Sequence, residues 1–431
     1  MSTPTTPTMD PQLLPLLKRV AFRYLPLLFI LYVVSIIDRV NVGFAKLQMQ
    51  EALQFSDTVY GLGAGIFFIG YFLFEVPSNM LLARVGARKW IARILLMWGP
   101  IAAATAFVET PLQFYVLRFL LGVGEAGLFP GVVLFITYWF PSERRTRYIA
   151  MFMLGMPIAG VIIGPLSAFI MTSMAGLHGL QGWQWMFIVQ GMPAFVLGLV
   201  VLVWLDDRPS SAKWLSPDEK AQLQRAVGEP LAQHMHPLAE MKMAFKQTGI
   251  WIPTLCYFFL VSVAAVFGLW GPQFLQDVLQ TNLKGVGGAL AGIFFLGTVG
   301  MVVAGALSDN AGRRDRVLLF VMGLSSFGFI VATLGVAHPA VVILGFGMGV
   351  FGYLAAFPVF WGSITARLAP VAAAATIAMI NSIGNLGGAI GPALVGPIKQ
   401  HHGLSAALAT LAAFALAMFI TALIANMLRK K

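Results

Sequence analysis

The adjacent pair Asp38-Arg39 stands inside an apolar run from residue 22 to residue 44. An acid and a base side by side at that depth of a membrane-length segment are expensive to bury, and such residues are candidates for function by default. A second pair, Arg118 and Glu125, lies seven residues apart in a later apolar run. That spacing is about two helical turns, so both side chains share one face. Helices running in opposite directions bring all four groups to similar depth in one cavity. The bland alternative is two structural ion pairs, Asp38 with Arg118 and Arg39 with Glu125, which specify packing and add little net stability. The functional alternative meets two needs. An anionic substrate needs a fixed cation, and guanidinium grips a carboxylate bidentately without losing its charge. A proton passenger needs a desolvated carboxylate. Each segment supplies one of each.

Tyr71, Glu75 and Asn79 follow at i, i+4, i+8 and share a face. Tyr71 can donate to a substrate; Glu75, deeper toward the cytosol, stays open between an inner-gate contact and a coupling role. The second half of the chain carries no clear mid-membrane charge. Its polar candidates are Trp270, Gln273, Tyr353, Trp361, Ser363, Asn381, Ser382 and Asn385. Asn381 and Asn385 share a face and can bind substrate hydroxyls or bond a neighbouring helix. Trp361 can stack on a ring or simply pack.

The elements that must position these groups are membrane spans. The 431 residues are 58% hydrophobic and only 10% charged, against roughly 25% charged in soluble domains. A span needs about 20 mostly apolar residues. Twelve runs qualify: 22–44, 59–83, 90–108, 112–139, 148–171, 185–205, 251–276, 287–308, 317–336, 340–365, 372–397 and 404–428. The net charge of +11 gathers in alternate short loops, as in Arg84, Arg88 and Lys89, or Arg144, Arg145 and Arg147, or Arg313, Arg314 and Arg316. That asymmetry places both termini in the cytoplasm and argues for a lipid partner, with no nucleic acid. The opposite loops hold little beyond Lys46, Lys284 and Lys399. No cleavable leader is expected, since residues 1–10 lack a basic region. Cys256 reads as a packing residue, and His401-His402 as a plain loop with no metal.

The long polar stretch divides the chain into a bundle at 1–205, a linker at 206–250 and a bundle at 251–431. Ser216-Pro217-Asp218-Glu219 is a capping box that opens a short cytosolic helix, whose charges are expected to form a solvated face. The halves repeat: Phe129-Pro130 recurs as Phe357-Pro358, Ile136-Thr137 as Ile364-Thr365, Gly164-Pro165 as Gly391-Pro392, and Gly86 as Gly312. Parallel six-helix repeats put the binding site near the midplane, between the halves. The expected fold class is an all-α membrane protein of twelve transmembrane helices in two pseudo-symmetric bundles.

The stretch from Gly305 through Asp309 and Gly312 to Arg313-Arg314 resembles a loop signature of the major facilitator superfamily, with Asn310 where an arginine is usual. The first-half copy, Asn79 to Lys89, has Ala83 in place of the usual acid. Within that superfamily the chain is similar to the anion:cation symporters. The similarity rests on Asp38-Arg39-Val-Asn41, Tyr71-Phe-Leu-Phe-Glu75-Val-Pro77-Ser-Asn79, Arg118 through Gly122 and Glu125 to Gly127, Phe357-Pro-Val-Phe-Trp361, and Asn381-Ser-Ile-Gly-Asn385. The resemblance implies uptake of a tartrate-like, sugar-acid or aromatic carboxylate with protons. It implies Asp38 and Glu125 as proton carriers and Arg39 and Arg118 in substrate binding and coupling. It favours a substrate role for one of Asn381 and Asn385, and makes Asp309 with Arg313 and Arg314 a conformational latch. The coupling ion is a proton, with no cofactor and no metal; the carrier is expected to be a monomer in the inner membrane. Organic-phosphate antiport is disfavoured, because the second half offers no buried Arg or Lys. A non-transporting nutrient sensor would need a signalling domain. No nucleophile, base or phosphate-cradling set at working spacing suggests an enzyme.

Overall fold

A computed structural model describes residues 13–227, 250–308, 313–365 and 370–428, and every regular element among them is helical. The first bundle is built from α1 (Leu13–Leu53), α2 (Asp57–Val85), α3 (Ala87–Ala104), α4 (Pro111–Glu125), α5 (Leu128–Trp139), α6 (Ser142–Met153), α7 (Gly155–Ser173) and α8 (Gly182–Trp204). The linker helix α9 (Pro217–Val227) follows. The second bundle holds α10 (Trp251–Leu279), α11 (Leu283–Ser308), α12 (Arg314–Leu334), α13 (Pro339–Thr365) and α14 (Pro370–Leu428). Eleven helical stretches among the described residues are long and apolar enough to span. The eleventh is two spans merged, because Gly403 breaks it at φ +77°, so the count reaches the twelve of the sequence reading.

Local chemistry sets the helix ends. Ser56 caps α2 through the Val59 amide, and Thr110 with Gln113 forms a reciprocal box at the start of α4. α1 runs 41 residues, well beyond the apolar core expected for it, because residues before and after that core also pack inward. The fourth span is not continuous. Its helix stops at Glu125 and restarts at Leu128 across Ala126 (ψ 128°) and Gly127 (φ +92°). Left-handed backbone there favours glycine, and a Cβ on Gly127 would also strike the Ser78 side chain. The freed Ala126 carbonyl accepts from Ser78 Oγ at 2.7 Å, and Trp90 Nε1 holds Ser78 at 2.9 Å. Irregular backbone at membrane depth is tolerated when protein satisfies it in this way.

The two bundles meet most closely near the end that carries Lys399. A Cβ on Gly43 would lie 2.7 Å from the Leu269 carbonyl oxygen. One on Gly61 would lie 2.7 Å from the Pro392 oxygen, and one on Gly65 2.5 Å from that of Ala389. Gly164 and Gly287 face each other backbone to backbone. Small residues allow such approach where lipid provides no hydrophobic drive between helices. Lys46, expected as a loop base, is fully buried beside this seam. Its ammonium lies 2.7 Å from Asp57 Oδ1, and 4.9 and 4.0 Å from the Tyr60 and Trp270 ring centroids. Lys399 adds a bridge between bundles, 3.6 Å from Asp57 and 3.0 Å from Asp277. Gln400 accepts from both the Thr58 amide and hydroxyl.

A Gly164→Leu change should wedge this seam open, since only backbone stands in the way. Overpacking costs about 1–3 kcal/mol, which is roughly a 5- to 150-fold population shift. Maleimide labelling of an Ala389→Cys reporter, buried beside Gly65, should accelerate accordingly. An unchanged labelling rate would mean that the seam does not hold the bundles together.

The linker helix keeps the expected solvated face, with Asp218 and Arg225 exposed, and is also anchored. Ser216 and Glu219 form the expected box, at 2.9 and 3.2 Å, and the Ser216 amide holds the Glu219 carboxyl below its usual range. Glu219 pairs with Arg19 of α1, while Asp206 accepts from Tyr24 and Asp207 from the Arg88 amide. Trp214 stacks on Trp139. These contacts fasten residues 206–227 onto the first bundle. The remainder of the expected linker, 228–249, lies outside the described residues.

Candidate functional site

Near mid-length, α1 presents Ser35, Asp38 and Arg39, one turn apart, toward the broken fourth span. Glu125, fully buried as the last residue of α4, accepts at its Oε1 from Arg39 Nη2 at 2.6 Å and from Ser35 Oγ at 2.6 Å. Its Oε2 has no partner among the described residues. The Arg39 side chain is 22% exposed and lies over the Phe67 and Tyr71 rings at 5.4 and 5.0 Å. Thus Arg39 and Glu125, two of the expected residues, form a close ion pair.

Asp38 and Arg118 do not. Asp38 accepts from Trp98 Nε1 and, at 3.1 Å, from Asn41 Nδ2. Arg118 is 1% exposed, and its only described hydrogen bond is a long one, 3.5 Å from Nε to the Gly63 carbonyl. Its Nη1 and Nη2 have no partner among the described residues, and its guanidinium lies 5.0 Å from the Phe67 ring centroid. Buried donors of a charged group are rarely left unmade without a reason. The pairing of Asp38 with Arg118 weighed from sequence is therefore absent, because an indole and an amide have taken the carboxylate.

On α2, Tyr71 and Glu75 are both buried. Glu75 reaches across to the second bundle, where Asn381 Nδ2 donates at 3.0 Å and Ser382 Oγ at 3.4 Å. Asn381 Oδ1 accepts from Tyr257 at 3.4 Å, so its amide orientation is set from behind. Tyr257 in turn packs edge-on against Trp361 at 4.9 Å. Asn385, one turn along α14, is only partly buried. The structure therefore groups Arg39, Glu125, Asp38, Arg118 and Tyr71 within the first bundle and joins Glu75 of that bundle to Asn381 of the second, with Trp361 behind Tyr257.

Other candidates fall elsewhere. Trp270 and Gln273 belong to the seal near Lys399, where Gln273 donates to Asp277 at 2.6 Å. Tyr353 is buried in the second bundle beside Phe267, and Ser363 donates to Asp315. Asp309 lies outside the described residues; Arg313 is exposed, and Arg314 donates to the Ser308 and Gly362 carbonyls. His401 and His402 are exposed, and no group of metal-ligating residues occurs among the described residues. Sequence reasoning missed Ser35, Trp98 and Tyr257. Ser35 had a signal, since it sits one turn before Arg39; the other two come from helices that nothing in the sequence joins to the site.

The family model of the Major Facilitator Superfamily matches residues 28–392. A protein of Agrobacterium vitis that bears the provisional name of a tartrate transporter is 42% identical over 90% of this chain and 89% of its own. A quinolone resistance transporter of Acinetobacter baumannii is 38% identical over 91% of this chain and 90% of its own. Among solved structures, a bacterial homolog of the human lysosomal transporter Spinster superposes with a TM-score of 0.74 at 16% identity, covering 96% of this chain and 97% of that one. The likeness to that structure is one of fold. With an all-helical span pattern, a polar site between two bundles and these matches, the chain belongs to the Major Facilitator Superfamily of membrane transporters.

Proposed function

We propose that this protein is a symporter that takes up a small organic anion together with protons by alternating access. The observation that carries the reading is Arg118, a buried guanidinium whose two terminal nitrogens have no partner among the described residues. A carboxylate is the ligand whose geometry matches that fork. The tartrate name of a close relative supports a hydroxylated dicarboxylate; sugar acids and aromatic carboxylates share the same anchoring group. Asp38 and Glu125 are the proton-carrying groups in this reading, and Arg39 and Arg118 the anion-holding ones.

Charge balance explains the coupling. Fully ionised, Asp38, Arg39, Arg118 and Glu125 sum to zero. One proton makes the cluster +1, and one carboxylate restores neutrality. An unbalanced unit charge about 4 Å from its neighbours is worth about 4 kcal/mol at an effective dielectric of 20, roughly a thousandfold penalty. The empty carrier and the carrier with proton and anion are then the two forms that close readily. A proton alone or an anion alone is held back.

In this reading the linker helix lies on the cytoplasmic side of an inner membrane, which the excess of Lys and Arg in alternate loops supports. The sealed Lys399 end then faces outward, and the partly exposed Arg39, Trp361, Asn381 and Asn385 are reached from inside. The carrier works as a monomer in this reading, with no cofactor. The test uses purified protein in liposomes with an alkaline interior and labelled L-tartrate, gluconate or nicotinate outside. At least one acid should accumulate above equilibrium, and a protonophore should abolish the excess. Uptake that ignores the proton gradient for all three would reject the reading.

A further inference from the structure

The geometry points to Glu75 as an internal stand-in for a substrate carboxylate: it occupies a carboxylate subsite made by Asn381 and Ser382, which the second carboxylate of a dianionic substrate takes over as Glu75 picks up a proton. This rests on the function proposed above and deepens it. Three observations carry it. Glu75 is 4% exposed and contributed by the first bundle, yet its two oxygens are bound by donors of the second bundle, at 3.0 and 3.4 Å. Those donors, an amide and a hydroxyl, are neutral groups suited to a carboxylate. Tyr257 fixes the amide so that its NH2 faces this position whether or not Glu75 is there.

The charges then need one more proton. Glu75 makes no ion pair among the described residues and is not part of the four-group balance. The titratable or charged groups facing it are Arg39 from α1, Tyr71 from its own helix and Tyr257 from α10, with Glu125 beyond Tyr71. A dianion with one carboxylate at Arg118 and Arg39 and the other at Asn381 and Ser382 would place two anions beside each other if Glu75 stayed ionised. Protonated, Glu75 loses its hold on the two donors and leaves. The proton enters with the substrate from the outer side and departs to the inside when Glu75 rebinds Asn381 and Ser382. One proton on the four-group cluster and one on Glu75 match the two charges of a dicarboxylate. A monocarboxylate leaves Glu75 in place and needs only one.

The experiment compares wild type with Glu75→Gln in liposomes clamped at −100 mV inside, using labelled L-tartrate and L-threonate, which share a four-carbon hydroxylated frame and differ by one carboxylate. Wild type should accumulate tartrate independently of voltage. In Glu75→Gln, tartrate should carry one net negative charge, so that its accumulation ratio at this voltage falls by roughly 50-fold; the charge carried with threonate should be the same in both proteins. If Glu75→Gln does not elute as a folded monodisperse protein, Asn381→Ala serves instead. It should raise the KM for tartrate over that for threonate at least ~10-fold, the loss of one charged hydrogen bond. Voltage-independent tartrate uptake by Glu75→Gln overturns the inference, as does an unchanged tartrate-to-threonate ratio in Asn381→Ala. Wild-type accumulation of threonate without tartrate also overturns it while leaving proton-coupled anion uptake intact. Wild type that couples neither acid to protons overturns the inference, and the underlying function falls with it only if gluconate and nicotinate also fail to couple.

Discussion

Uptake by an Arg118→Gln variant is expected to fall at least ~30-fold, since losing one partner of a buried, hydrogen-bonded charge contact costs about 2–5 kcal/mol. The same change should leave the thermal midpoint of the purified protein equal to or above that of wild type. The two expectations separate function from architecture. Arg118 makes one long backbone hydrogen bond and no ion pair among the described residues. Removing its charge therefore breaks no hydrogen-bonded ion pair, and the relief of a desolvated cation offsets the loss of its longer-range attraction to Asp38 and Glu125. Were it a structural partner of Asp38, the loss would destabilise the fold by about 3–5 kcal/mol. Arg118→Lys keeps the charge and loses the fork, and should recover only part of the uptake. The decisive pair of measurements is initial uptake rate and melting temperature: a variant that melts early but still transports would assign Arg118 to the scaffold.

The second large effect belongs to Glu125→Gln. The amide keeps the size of the acid and can still accept from Ser35 and Arg39, so the contacts at Oε1 survive in neutral form. The four-group cluster is then fixed at +1, the state that the loaded carrier has before the anion arrives. Exchange of labelled for unlabelled substrate should continue at a rate near that of wild type, because both half-cycles carry a bound anion. Accumulation driven by a pH gradient should vanish, because the empty variant must close with an unbalanced charge, about 4 kcal/mol at an effective dielectric of 20. Counterflow and net uptake measured side by side check this. Net accumulation that persists in Glu125→Gln would move the coupling proton to another acid.

Much of this arrangement is legible in the chain. Twelve apolar runs foretell the spans, and the charges on α1 and α4 mark residues of which the fold brings Arg39 and Glu125 into contact. What spacing along one helix cannot reveal is the partner contributed by another. Asp38 ends beside Trp98 of α3, and nothing in the apolar run around Trp98 marks that tryptophan as polar-facing. Lys46 looked like a loop residue because it follows the apolar core of α1; the helix simply continues, and Tyr60 and Trp270 enclose its ammonium. Conversely, the interruption after Glu125 was written in Gly127, but a lone glycine among so many is not read as a break until its backbone is seen.

The glycine seam near Lys399 has a kinetic consequence. Where two helices touch through backbone and alanine methyls, no interlocked rotamers must be undone before they part. Separation at Gly61, Gly65, Gly164 and Gly287 is thus smooth, and the activation barrier concentrates at the rim, in rehydrating Lys46, Asp57, Asp277 and Lys399. The turnover rate of such a carrier is governed by a few solvated charges at one doorway, and can be tuned there by evolution without repacking the interior.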